Sequence, residues 1–195
     1  TILPLPGETK ESYLQGLNDI IGGKGSNVFG HTLTLLHGTE YMLPEYRKKH
    51  GLVTKWRLII LDYGKYLGKP IFELEECCIQ TNTMSYEDYV YCRNVLLSLQ
   101  LVYGGSIFKE FIKYLYYFEI NPFELIFKVL NDISKAPLCI QSIFKGFQKD
   151  TEGELFETPE LLFEFYEKDE NYQALSEGEL GSNVLYKYTC LTYVK

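Results

Sequence analysis

The sequence predicts an α/β segment followed by an all-helical one. Three observations carry this. Residues 1–36 read as strand end, helix, strand. Two further runs of strand character follow, up to about residue 82. Beyond that point the apolar residues recur almost throughout at helical spacing. The boundary therefore falls at residue 82, with an α/β part over 1–82 and a helical part over 83–195.

Ile2 to Leu5 is a short apolar run that contains Pro4 and precedes Pro6. Proline brings no N–H to a ladder, so the run reads as a strand end entering a loop. Thr9 reads as an N-cap, with Ser12 three residues on and Lys10-Glu11 opening a helix. Tyr13, Leu14, Leu17, Ile20 and Ile21 share one apolar face, and Gly22-Gly23-Lys24-Gly25 stops the helix. Residues 27–36 (NVFGHTLTLL) read as a buried strand. Strand, helix, strand is the order of a parallel sheet or barrel.

His37-Gly38-Thr39-Glu40 follows as a loop, then a short charged helix from Pro44 to His50 that ends at Gly51. Trp56 to Asp62 and Ile71 to Asn82 read as strands, with Gly64, Gly68 and Pro70 marking the turn between them. Ser85 with Asp88 three residues later is a capping-box variant. It opens a helix that runs to about Tyr103. Further helices are predicted over 107–119, 122–134, 137–149, 158–171 and 174–193. Pro122, Pro137 and Pro159 sit near helix starts, where a missing N–H costs nothing.

Composition narrows the function classes. Hydrophobic residues at 46% and charged ones at 23% exclude wholesale disorder. A net charge of −7 argues against a phosphate-backbone binder, so no nucleic-acid partner is expected. No apolar run approaches the roughly 18 residues of a membrane span, so no membrane partner is expected. Five Cys at irregular spacing, with no C-x-x-C, predict buried reduced thiols, and no signal peptide is visible. Cytoplasmic localisation is the expectation that follows. The three His lack metal spacing, and no metal ligands are expected in this chain. There is no G-x-S-x-G, Walker A loop or H-E-x-x-H. Glu75-Glu76 and Glu87-Asp88 read as solvated acids, since sequence neighbours diverge on strands and helices alike. The chain holds seventeen Tyr and twelve Phe, and the excess is concentrated in the helical half, where their spacing reads as core, with a docking face as the alternative.

The run from Ile2 to Tyr13 resembles a place late in the barrel of radical S-adenosylmethionine (radical SAM) proteins. There a strand ends in a phrase like G-[LF]-P-G-E-T, and a helix opens with [KED]-E-[ST]-[FY]. The next strand of that family ends in L-x-G-T, as Leu36-His37-Gly38-Thr39 does here. The stretch from Trp56 to Arg93 resembles the subset that carries an N-terminal cobalamin-binding domain. Its shared features are Arg57, Asp62-Tyr63-Gly64, the acids Glu73, Glu75 and Glu76, and Thr81-x-Thr83-Met84-Ser85-Tyr86-Glu87-Asp88-Tyr89. The resemblance covers about residues 1–103. Pro4 stands where family members usually have Gly, and the cluster-binding C-x-x-x-C-x-x-C is absent.

The resemblance implies the last βα units of a partial TIM-like (β/α) barrel followed by a C-terminal helical domain. It implies S-adenosylmethionine and a [4Fe-4S] cluster as cofactors, the cluster ligands lying before Thr1 in a missing N-terminal part of the same chain. In the resembling subset cobalamin is a further cofactor. The start at Thr1 rather than Met agrees with that expectation. Leu3, Leu5 and Gly7 would offer backbone to the adenine, where Gly7 permits close approach. Glu8, His31 and Thr39 complete the implied cofactor-binding positions. Each has a plainer reading: Glu8 as a helix-capping acid, His31 as a hydrogen-bonded strand residue, Thr39 as a loop cap. The chain would contribute one edge of the cofactor site and a helical cap, and would be inactive alone. Its substrate, a small molecule or a peptide, is left open. The alternative is a non-catalytic α/β plus helical protein-interaction module.

Overall fold

The computed structural model describes residues 1–25, 28–104 and 107–194. Thr9 caps the first helix as expected. Its hydroxyl accepts from the Ser12 N–H at 3.2 Å, and the Ser12 hydroxyl accepts from the Thr9 N–H at 2.9 Å. This capping box opens α1 (Lys10–Gly22), which buries Tyr13, Leu17 and Ile21. On either side lie two short strands, β1 (Ile2–Leu3) and β2 (His31–Thr32), paired in parallel.

The expected strand over 27–36 is shorter in its regular part, because the chain changes partner along it. Residue 27 lies outside the described residues. His31 and Thr32 pair with β1. Leu33 then uses both edges: its N–H donates to the Leu3 carbonyl, and its carbonyl accepts from the Cys78 N–H, both at 2.8 Å. Leu35 donates to the Glu76 carbonyl, also at 2.8 Å.

A short helix, α2 (Pro44–His50), ends at Gly51, whose φ of 60° is the left-handed conformation that glycine adopts without strain. The next two strands, β3 (Val53–Tyr66) and β4 (Lys69–Gln80), form an antiparallel hairpin. Its turn residues Leu67 and Gly68 both have positive φ, as a two-residue type I′ turn requires. The ladder is irregular between Leu58 and Tyr63, where Leu61 is exposed with φ 66°. Through residues 33–35 the hydrogen-bonded order becomes β1, β2, β4, β3. At the far edge Trp56 and Phe156 exchange both backbone bonds, at 2.8 and 2.7 Å.

The rest is helical. Ser85 caps α3 (Tyr86–Leu99) by accepting from the Asp88 N–H at 3.1 Å. A π turn over Gln100–Gly104 extends this helix to its expected end. Then come α4 (Lys109–Tyr117), α5 (Pro122–Asn131), α6 (Leu138–Gly153), α7 (Pro159–Tyr166), α8 (Asp169–Ser176) and α9 (Val184–Val194). The expected helix over 158–171 breaks at Lys168, which is extended, and the Asn171 side chain donates to the Phe165 carbonyl there. The expected helix over 174–193 breaks at Gly178 and Gly181, both left-handed.

The chain is thus a mixed α/β fold, mostly helical. The most buried helix is α3, with Tyr89, Cys92, Val95, Leu97 and Leu99 each at 1% exposure or less. One core joins Leu3, Leu17 and Ile21 to Met84, Val95 and Phe123. A second joins Leu58 and Phe72 of the hairpin to Leu162, Tyr166 and Leu175. Both cores cross the boundary at residue 82. The aromatic excess is divided: Tyr89 and Phe147 are core, whereas Phe111, Tyr114, Tyr117 and Phe118 stand exposed on and after α4. Among the described residues no single helix is long and apolar enough to cross a membrane.

Candidate functional site

The alternation of side chains along residues 32–35 gives that strand two unlike faces. Leu33 and Leu35 pack with Cys78, Leu5 and Met42. Thr32 and Thr34 face a polar cluster. The Thr34 hydroxyl donates to Glu75 at 2.9 Å, and Thr32 shares a 3.2 Å hydrogen bond with Tyr89. Glu75 also takes the Nε of Arg57, whose Nη1 reaches Glu154 at 3.2 Å. Arg93 of α3 lies 3.8 Å from the same Glu154 oxygen and 5.7 Å from the Phe147 ring centre. Two arginines and two carboxylates therefore balance in charge within one half-buried network.

Burial disfavours the Arg57 charge. The neighbouring Cys77 and the carboxylates of Glu154 and Glu75 outweigh it and hold the guanidinium above its ordinary value. Burial pushes the Cys77 thiol up to about 12, against the pull of Arg57. That thiol stays protonated at neutral pH and is a poor nucleophile. Arg93 Nε and Thr151 Oγ1 are buried without a hydrogen-bond partner among the described residues.

On the other face of β4, Glu76 is 7% exposed. Arg47 donates to both its oxygens at 2.7 Å, and Thr54 adds a third bond. Burial raises the Glu76 carboxyl, but these bonds outweigh it and hold the group below the usual carboxylate range. Glu75 and Glu76 do face opposite ways, as their spacing requires. They are not solvated acids: each is held by an arginine, because the hairpin register sets Arg57 beside Glu75 and α2 lays Arg47 over Glu76. Asp88 is likewise engaged, by Lys10 at 2.6 Å.

The polar network opens onto a cavity of about 230 Å³. Arg57 and Glu154 form one part of its lining, the end of α6 another, and the segment between α8 and α9 a third. Leu58, Phe165, Tyr166 and Leu180 supply apolar wall.

The six positions implied by the resemblance lie apart from this cavity. Leu3 is fully buried in the core. Leu5, Gly7 and Glu8 occupy the loop after β1, and Thr39 the loop after the Leu35 segment, where its hydroxyl donates to the Leu36 carbonyl at 2.7 Å. His31 sits at the opposite end of that strand, exposed. Gly7 has φ 86° and open space where a Cβ would be. Burial raises the Glu8 carboxyl, and its Oε2 is buried without a partner among the described residues.

Among the described residues no group of three or more His, Cys, Asp or Glu could hold a metal ion. The cysteines are all free; Cys77, Cys78 and Cys92 are buried, while Cys139 and Cys190 are exposed, so the expectation of buried thiols holds for three of the five. The Arg57–Glu154 network has no local signature in the sequence. Its members stand far apart in the chain, and only the hairpin register and the Trp56–Phe156 bridge bring them together. No known family model matches the chain, and no curated protein matches it.

Proposed function

We propose that this chain is the C-terminal part of a radical SAM protein, supplying the closing parallel strands of a partial barrel and a helical cap. The observation that carries the reading is the position of β1. It pairs in parallel with β2 and, among the described residues, has no partner on its other edge. Parallel strands are normally buried within a larger sheet, so an open edge here suits a strand that precedes it in a barrel. The loop after β1 falls at the C-terminal end of the strands, where barrel enzymes bind ligands.

Leu5, Gly7 and Glu8 fit the S-adenosylmethionine edge of such a site. Gly7 leaves room for close backbone approach, and the Glu8 Oε2, buried and without a partner among the described residues, would be satisfied by a ligand donor that opens this loop. Leu3 would act through its strand position, Thr39 from the facing loop. The described residues do not fit an iron–sulfur cluster, whose ligands would belong to a preceding part of the protein. When bound, S-adenosylmethionine and the cluster would supply the radical chemistry; this chain would orient the cofactor and exclude water.

The test is the longer protein encoded through Thr1 from upstream. A C-x-x-x-C-x-x-C is expected there. After anaerobic reconstitution that protein should cleave S-adenosylmethionine to 5′-deoxyadenosine under reducing conditions, and residues 1–195 alone should bind no iron. An upstream sequence lacking the motif, or a cluster on residues 1–195 alone, overturns the reading.

The exposed aromatic residues of α4 favour a second reading, an α/β and helical module that engages another protein. A full-length protein that forms no 5′-deoxyadenosine but captures a partner through α4 would support it.

A further inference from the structure

The cavity beside Arg57 has a charge pattern that selects one kind of ligand. Its lining holds three cationic side chains, Arg57, Lys149 and Lys187, and three anionic ones, Asp150, Glu154 and Glu179. A phosphate or a polyanion would meet three carboxylates, and an organic dication would meet three cations. Four of the six charges are already neutralised in pairs. Arg57 reaches Glu154 at 3.2 Å, and Lys187 reaches Asp150 at 2.7 Å. The side chains of Lys149 and Glu179 have no ion-pair or hydrogen-bond partner among the described residues. One cation and one anion are left over on different lining elements: Lys149 on α6 and Glu179 between α8 and α9.

The remaining wall is apolar, from Leu58, Phe165, Tyr166 and Leu180. The segment that carries Glu179 is shaped by Gly181. A Cβ there would lie 2.3 Å from Leu175 Cδ1, and φ is +65°. The chain can pass this close to Leu175 and Leu58 only as glycine, so this wall is fixed by the fold. The volume, about 230 Å³, lies below the ~300–1,000 Å³ of sites for drug-sized ligands. That size suits a single amino acid better than a nucleotide.

We propose that this cavity binds a small zwitterion with an apolar side chain, an α-amino acid such as leucine or phenylalanine. Its carboxylate faces Lys149, its ammonium faces Glu179, and its side chain lies against Leu58, Phe165 and Leu180. The proposal rests on the cavity alone and stands whether or not the chain belongs to a radical SAM protein.

The test uses residues 1–195 and titrates L-leucine and L-phenylalanine, followed by calorimetry or by chemical-shift changes. N-acetyl-L-leucine, which lacks the ammonium, and L-leucinamide, which lacks the carboxylate, serve as controls. Saturable millimolar or tighter binding of the amino acids is expected. Each control should bind about fivefold more weakly or worse, the loss of one exposed ion pair of ~1 kcal/mol. Lys149→Gln should weaken leucine binding but leave leucinamide unchanged, and Glu179→Gln should weaken leucine but leave N-acetyl-leucine unchanged. Both side chains are exposed, and unchanged circular dichroism shows that the variants fold. Absence of binding by either amino acid overturns the proposal. So does equal binding of the amino acids and both controls, or leucine affinity that neither substitution alters.

Discussion

Glu75 and Glu76 are neighbours on β4 and are held by arginines on opposite faces of the sheet. Glu75 meets Arg57 of the partner strand, and Glu76 meets Arg47 of α2. Arg57 also reaches Glu154, so the hairpin is pinned on one side to the helical half and on the other to the segment that precedes it. Glu76 is the more buried of the two. Glu76→Ala leaves the Arg47 guanidinium without a counter-charge and should destabilise the fold by about 3 kcal/mol. Replacing both together, Arg47→Met with Glu76→Leu, should recover most of the loss. Urea unfolding midpoints measure this; equal midpoints for the single and double variants would refute it.

Two of the perturbed carboxyls, Glu76 and Glu8, give opposite pH signatures. Glu76 titrates lower in the fold than in the unfolded chain. Its stabilisation is complete above the unfolded value of about 4.3 and is lost as pH falls through the folded value. Glu8 titrates higher in the fold. The folded state then holds its proton longer, so stability falls as pH rises from about 4.3 through the folded value. Glu76→Gln should flatten the acid limb of a stability–pH curve, and Glu8→Gln should gain stability relative to the parent as pH rises from 4 to 7. Curves that stay parallel to the parent's would contradict both assignments.

Gly30 touches α3. A Cβ built there lies 2.2 and 2.6 Å from the two methyl carbons of Leu96, which is buried. Gly30→Ala should cost about 1–3 kcal/mol by overpacking. Leu96→Val in the same chain should return part of it, which a double-mutant cycle reads as non-additivity. Additive effects would mean that the clash is relieved elsewhere.

Thiol reactivity should divide two against three. Cys139 and Cys190 are exposed and should react with a thiol reagent in the native protein. Burial holds Cys77 and Cys92 at about 12 and Cys78 at about 11, so these should react only on unfolding. Counting modified thiols before and after denaturant checks this; fast native labelling of a third would show that a buried strand or helix opens.

Helix ends are legible in the sequence because their signals are local. Thr9 with Ser12, Ser85 with Asp88, Pro44 with Gly51, and Pro122 and Pro159 each marked a helix end through a bond or restriction within a few residues. Gly178 and Gly181 offered the same kind of signal, and the apolar spacing on either side of them masked it. The change of partner along residues 33–35 left no mark, because Leu33 and Leu35 are apolar whichever neighbour they bond. The Arg57, Glu75 and Glu154 network left none either. It depends on which strand position faces which, and on a segment almost a hundred residues further along. Period and propensity report what one element buries, not what it will meet.

The paired backbone bonds between Trp56 and Phe156 close a loop of about a hundred residues. Contacts so distant in sequence bear a large entropic cost of closure, and such contacts slow folding. The hairpin and the capped helices can form from local contacts; this rung cannot. It should be among the last native bonds made and among the first lost. The Trp56 and Phe156 amides should therefore exchange with solvent ahead of the inner hairpin rungs at Arg57 and Glu75. Arg57 and Glu154, which line the cavity, lie one and two residues from the Trp56–Phe156 rung, so that filling the cavity should also slow the chain's opening there.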